Sequence, residues 1–104
     1  MVFVETPLFT SQIKLLLSDD DYGAFQRALA DHPQSGDVIP GTGGLRKIRV
    51  AAKGHGKSGG ARVIYYHFVS ASRIGLLFVY PKNEQVSLTP TQKLALRKVI
   101  EQWR

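Results

Sequence analysis

The sequence predicts an α+β fold: a mainly antiparallel, twisted sheet with a helical hairpin near its N-terminus and a helix at its C-terminus, in the order βααβββα. Three observations carry this expectation. Apolar residues recur at three- and four-residue spacings before position 33 and again after position 89, whereas between positions 45 and 80 they largely alternate with polar ones. A glycine-bearing stretch without apolar period separates the first helical part from the strands. The 104 residues suffice for one core and not for two, so a single domain over residues 1–104 is expected, with its helices on one face of the sheet.

Residues 2–4 (Val-Phe-Val) read as a short strand, closed by Thr6 as helix cap and Pro7 at the first helical position. Phe9, Ile13, Leu16 and Leu17 then form one apolar stripe on a helix that ends near Ser18. Asp19, Asp20 and Asp21 suit the positive end of a second helix, whose buried face is Tyr22, Phe25 and Leu29 and which Pro33 stops. Residues 34–44 are expected to be loop. Strand alternation puts Ile48 and Val50 on one face of residues 45–50 and Lys47 and Arg49 on the other. A basic, glycine-rich connection over residues 53–60 leads to a strand over 61–69, where Arg62, Ile64, Tyr66 and Phe68 alternate with Val63, Tyr65, His67 and Val69. A short turn leads into residues 74–80, apolar on both faces and therefore central. Thr89 and Pro90 open the last helix, with Leu96, Val99, Ile100 and Trp103 inward.

Composition narrows the function classes. The chain has no cysteine, which excludes disulfides, thiolate nucleophiles and cysteine-ligated metal and suits a reducing compartment. Its start lacks the regions of a signal peptide and its longest apolar run is far below membrane-spanning length, so a cytoplasmic protein is expected. The net charge of +6 is unevenly spread: residues 1–45 sum to −4 and residues 46–104 to +10. Cations concentrated in this way fit a polyanionic partner, nucleic acid first. Gly54-His55-Gly56-Lys57-Ser58-Gly59 approaches two phosphate-loop patterns, but Ala51 stands where a P-loop needs glycine and a strand follows where both need a helix. His32, His55 and His67 lack metal-type spacing, so neither metal nor cofactor is expected.

The heaviest constellation is Lys47 and Arg49 on one strand, Lys53 and Lys57 in the connection, Arg62 on the next strand, and Lys82 after the last. Pairing of the two strands brings these cations within one groove. Whether Arg62 shares the face of Lys47 and Arg49 depends on a register that alternation does not fix.

Gly41-Thr42-Gly43-Gly44-Leu45-Arg46-Lys47-Ile48-Arg49-Val50, the Lys/Gly connection, Gly60-Ala61-Arg62-Val63-Ile64-Tyr65-Tyr66 and Tyr80-Pro81-Lys82-Asn83-Glu84 together resemble the RelE/ParE toxin superfamily, in particular its HigB-like branch. The resemblance spans essentially the whole chain. It implies the toxin of a type II toxin–antitoxin pair, a ribosome-dependent endoribonuclease that cuts mRNA in the A site without a metal and is silenced by a cognate antitoxin, with a helix-turn-helix domain as in HigA. It also implies that Lys47, Arg49, Arg62 and Lys82 are catalytic, with Arg62 on the scissile phosphate and Lys82 near the leaving oxygen. Lys47 either binds phosphate, the favoured reading, or acts as general base.

Lys53, Lys57, Arg46 and Tyr80 are the expected RNA contacts, with packing favoured for the strand tyrosines and Tyr80 taken as the least buried of them. Pro81 replaces the glycine usual in relatives, and no later tyrosine follows Tyr80, so the general acid is unassigned. His67 alternates with the packed residues. Two other functions suit such a chain: poisoning of DNA gyrase, against which the cations argue, and non-catalytic RNA binding.

Overall fold

The computed structural model describes residues 1–51 and 60–103. Its elements are β1 (Val2–Glu5), α1 (Pro7–Leu16), α2 (Asp19–Asp31), β2 (Asp37–Val38), β3 (Arg46–Val50), β4 (Ala61–Phe68), β5 (Arg73–Pro81) and α3 (Pro90–Trp103). The sheet runs β1-β5-β4-β3-β2, with β1 parallel to β5 and the other neighbours antiparallel. The fold is thus the α+β class the sequence predicts. No helix among the described residues is long and apolar enough to cross a membrane.

The helix starts follow from local chemistry. Thr6 Oγ1 accepts from the Phe9 amide at 3.0 Å and donates to the Leu77 carbonyl at 2.7 Å, tying α1 to β5. Ser18 caps α2 through the Asp21 amide, and the three aspartates lie in its first turn. Thr89 and Gln92 cap each other's amides, Gln92 N to Thr89 Oγ1 at 3.1 Å and Thr89 N to Gln92 Oε1 at 3.0 Å, which fixes the start of α3.

Three features depart from the sequence expectation. Residues 34–44 contain the two-residue strand β2, too short to show alternation. It exists because glycines with positive φ at 41, 43 and 44 reverse the chain, bringing the Ile39 amide onto the Leu45 carbonyl at 2.8 Å. Helices cover both faces of the sheet instead of one. Phe9, Ile13, Leu16, Leu17 and Leu29 from α1 and α2, with the residue between them, pack on Val63, Tyr65, Ile74, Leu76 and Val79. Ile100 and the half-buried Leu96, Val99 and Trp103 of α3 pack on Ile64, Phe68, Leu77 and Tyr80 across the sheet. Both strand faces are apolar, so both need cover. Finally, β4 ends at Phe68, and Val69 lies in a 3-10 turn with Val69 exposed.

Candidate functional site

The β3–β4 ladder decides where the cations meet. Arg46 to Val50 pair without interruption with Tyr65 to Ala61, so Arg49 stands directly opposite Arg62 and Lys47 opposite Ile64. Directly opposed residues of an antiparallel pair share a face, which puts Lys47, Arg49 and Arg62 together. The irregularity in the sheet lies between β4 and β5, at Ile64/Tyr65, beyond Arg62. It leaves Tyr80 opposite Arg62, giving a row of Arg49, Arg62 and Tyr80 across three strands.

Gly60 shapes this row. A Cβ there would lie 3.5 Å from Arg49 Nε and 3.7 Å from Arg62 Nη1, so two guanidinium groups converge over a residue that has no side chain. Its φ of +37° and the nearby Val50 carbonyl, 3.1 Å from the same point, make glycine the residue of choice. Sequence reasoning gave Gly60 no role, although a glycine directly before a strand is the available signal. Arg62 is half-buried and donates from Nη1 to its neighbour's Ala61 carbonyl at 3.3 Å; Arg49 is exposed. Lys82 is exposed, and its amide donates to the Gly60 carbonyl at 3.1 Å, continuing the β4–β5 ladder one residue past Pro81. The backbone position that follows Tyr80 by two therefore stands beside the arginine pair.

Tyr80 is buried, only 2% exposed, rather than the least buried of the strand tyrosines. Its ring packs on Phe78 at 5.7 Å between centroids and its hydroxyl donates to the Val86 carbonyl at 3.5 Å. Burial pushes its hydroxyl pKa up, and the Arg62 charge pulls it partly back. Arg46 lies on the other face from Lys47 and Arg49. Its Nη1 donates to the carbonyls of Gly36 at 2.7 Å and Gln34 at 3.2 Å, so the guanidinium fastens the chain leading into β2. His67 also lies on that other face, opposite Ile74, with Nδ1 buried and without a hydrogen-bond partner among the described residues. Lys53, Lys57 and His55 lie outside the described residues.

Chemically, such a row can receive an anion. Two guanidiniums brought together repel each other unless an anion lies between them, and a phosphodiester matches their forked donors. Among the described residues no group of His, Asp and Glu is placed to hold a metal ion. A cavity of about 350 Å³ lies along β5 beside Gln12, Leu15 and Leu16 of α1; it reaches Tyr80 and is otherwise lined by Phe78, Val79, Pro81, Glu84 and Gln85, with no cation among its lining residues.

Comparison with known protein families matches residues 30–104, which include β2 to β5, the whole cationic row and α3, to the RelE toxin of the RelE / RelB toxin-antitoxin system. With nearly three quarters of its length matched, the chain belongs to the RelE toxin family.

Proposed function

We propose that this toxin is a ribosome-dependent endoribonuclease that cuts mRNA in the A site, with Lys47, Arg49, Arg62 and Lys82 as its catalytic cations. The observation that supports it most is the register that sets Arg49 opposite Arg62 beside Gly60. RNA brings its own nucleophile. Attack of a 2′-oxygen on the adjacent phosphorus forms the P–O2′ bond, breaks the P–O5′ bond and leaves a 2′,3′-cyclic phosphate and a 5′-hydroxyl. The proton of the 2′-hydroxyl leaves, and the departing 5′-oxygen takes one up.

What the protein must supply is alignment and stabilisation of the extra negative charge on the phosphorane-like transition state. Arg62 forks onto the non-bridging oxygens, Arg49 shares that charge, and Lys47 holds the adjoining phosphate. Lys82 neutralises the leaving oxygen. Lys53 and Lys57 hold flanking RNA. Arg46 stands apart from these contacts because it lies on the opposite face of the sheet, with Nη1 held by two carbonyls, and Tyr80 contributes shape under Arg62 in place of a stacking ring. Ribosomes and mRNA place this action in the cytoplasm, and a cognate antitoxin of the helix-turn-helix, HigA-like kind silences it.

Primer extension on a defined mRNA tests the reading, with and without programmed ribosomes, using all-ribose message and message carrying a single 2′-deoxy nucleotide before the cut. Cleavage inside the A-site codon that needs both ribosome and 2′-hydroxyl is expected. Intact message with growth arrest on induction would overturn it and turn attention to gyrase supercoiling.

A further inference from the structure

The cationic row is not the only positive surface on its side of the sheet. α3 packs over the same face, through Ile100, Leu96, Val99 and Trp103 against Ile64, Leu77 and Tyr80. Two contacts show how it is turned. Arg97 Nη1 donates to the Gly41 carbonyl at 3.4 Å, and Arg97 borders a small cavity with Thr42 and Gly43, so this flank of the helix faces the β2–β3 side. Trp103, at the other end, lies against Gly75 and Phe68 of β5 and β4. Lys93 precedes Arg97 by one helical turn and so shares its flank, nearer to the end of the helix that starts beyond Tyr80. Lys47 and Arg49 lie on β3, the strand toward which that flank is turned.

We propose that Lys93 and Arg97 form a second phosphate-binding wall, facing Lys47 and Arg49 across the groove, and grip the RNA backbone beside the nucleotide that is cut. This rests on the reading of the sheet face as an RNA site. Among the described residues, α3 is the helix packed over this face of the sheet, beside the row. Lys93 is half-buried, so part of its side-chain freedom is already lost in the folded protein. Arg97 keeps further guanidinium donors beyond the one spent on Gly41, and that bond holds its side chain on the flank turned to the β2–β3 connection, one helical turn before Glu101. The partner chemistry is a phosphodiester backbone, read without regard to base.

The test is a salt titration of binding to a fluorescein-labelled, non-cleavable 2′-O-methyl oligoribonucleotide, comparing wild type with Lys93→Gln/Arg97→Gln, alongside single-turnover cleavage on programmed ribosomes. The double variant should keep its melting temperature, bind about tenfold more weakly near 0.1 M salt, and lose roughly 1.4 from the slope of log K against log salt, about 0.7 for each phosphate released. At saturating protein its cleavage rate should stay within about twofold of wild type. Equal slopes and affinities in the two folded proteins would overturn the wall and leave the nuclease reading standing. Loss of cleavage at saturation would also overturn it, since the residues would then belong to the chemistry. A wild type that leaves mRNA intact, with the slope still lost in the variant, would uphold the wall and sink the nuclease.

Discussion

Arg46, Arg49 and Arg62 carry the same guanidinium within two paired strands, and the face of the sheet decides what each does. Arg46 points away from the row and donates to two carbonyls of the chain before β2. Arg46→Ala should therefore lower stability by about 1–2 kcal/mol, the loss of charged hydrogen bonds at a partly exposed site, and leave the saturating cleavage rate of the folded protein unchanged. A denaturation curve and a kinetic trace on the same sample check this. Alternation separates Arg46 from Lys47 and Arg49 but leaves the face of Arg62 open, and the β3–β4 register decides it. The Arg46 partners were not legible, because Gln34 and Gly36 lie ten and more residues upstream in a stretch with no periodic signal. The burial of Tyr80 escapes alternation for a related reason: its cover, the Val86 carbonyl and the residues leading into α3, comes from chain that alternation does not describe. A second residue-level prediction concerns alkali. Tyr22 donates to Glu5 Oε2 at 2.6 Å, and burial together with that carboxylate raises its pKa well above the usual tyrosine value. A raised phenol pKa contributes stability that is complete below about pH 10 and is lost as pH climbs toward the folded-state value. Melting temperature should fall above about pH 10, and Tyr22→Phe should flatten that fall; an unchanged alkaline slope in the variant would refute the linkage.

At the scale of elements, the helices and the three long strands could be read from spacing and caps, since Thr6, Ser18 and Thr89 each act within three residues of themselves. Cover on both faces could not, because sequence shows that a strand is apolar on two sides without showing which helix meets which. Gly75 is the hinge of that question. A Cβ there would come within 2.7 Å of the Trp103 ring and 3.2 Å of Phe68, so α3 rests on the bare backbone of β5. Arg73 adds a donor to the Trp103 carbonyl at 3.5 Å, a cation at the end of the helix where its dipole is negative. Gly75→Ala should cost about 1–3 kcal/mol through overpacking. Because Trp103 is the sole tryptophan, its emission reports the displacement of α3 directly. If the account of the groove is correct, the same variant weakens RNA binding, since the wall on α3 moves with the helix; stability and emission both matching wild type would contradict it.

For the whole molecule, the division of charge along the chain becomes a division across the sheet. The acidic α2 helix packs on the face of Val63 and Tyr65, whereas Lys47, Arg49 and Arg62 lie on the opposite face with α3. Such a charge arrangement steers one side toward a polyanion and turns the other away. Association with ribosomes should slow steeply with added salt, and a flat dependence would contradict electrostatic steering. On the nuclease reading, the chemistry turns on the arginine pair beside Gly60. Its most direct test is the single-turnover rate of mRNA cleavage on programmed ribosomes by wild type and by Arg62→Ala, with equal melting temperatures established first. The rate should fall at least about a hundredfold, the scale of removing one preorganised donor from a developing anion, while binding to the ribosome persists. Cleavage by Arg62→Ala at the wild-type rate would contradict it.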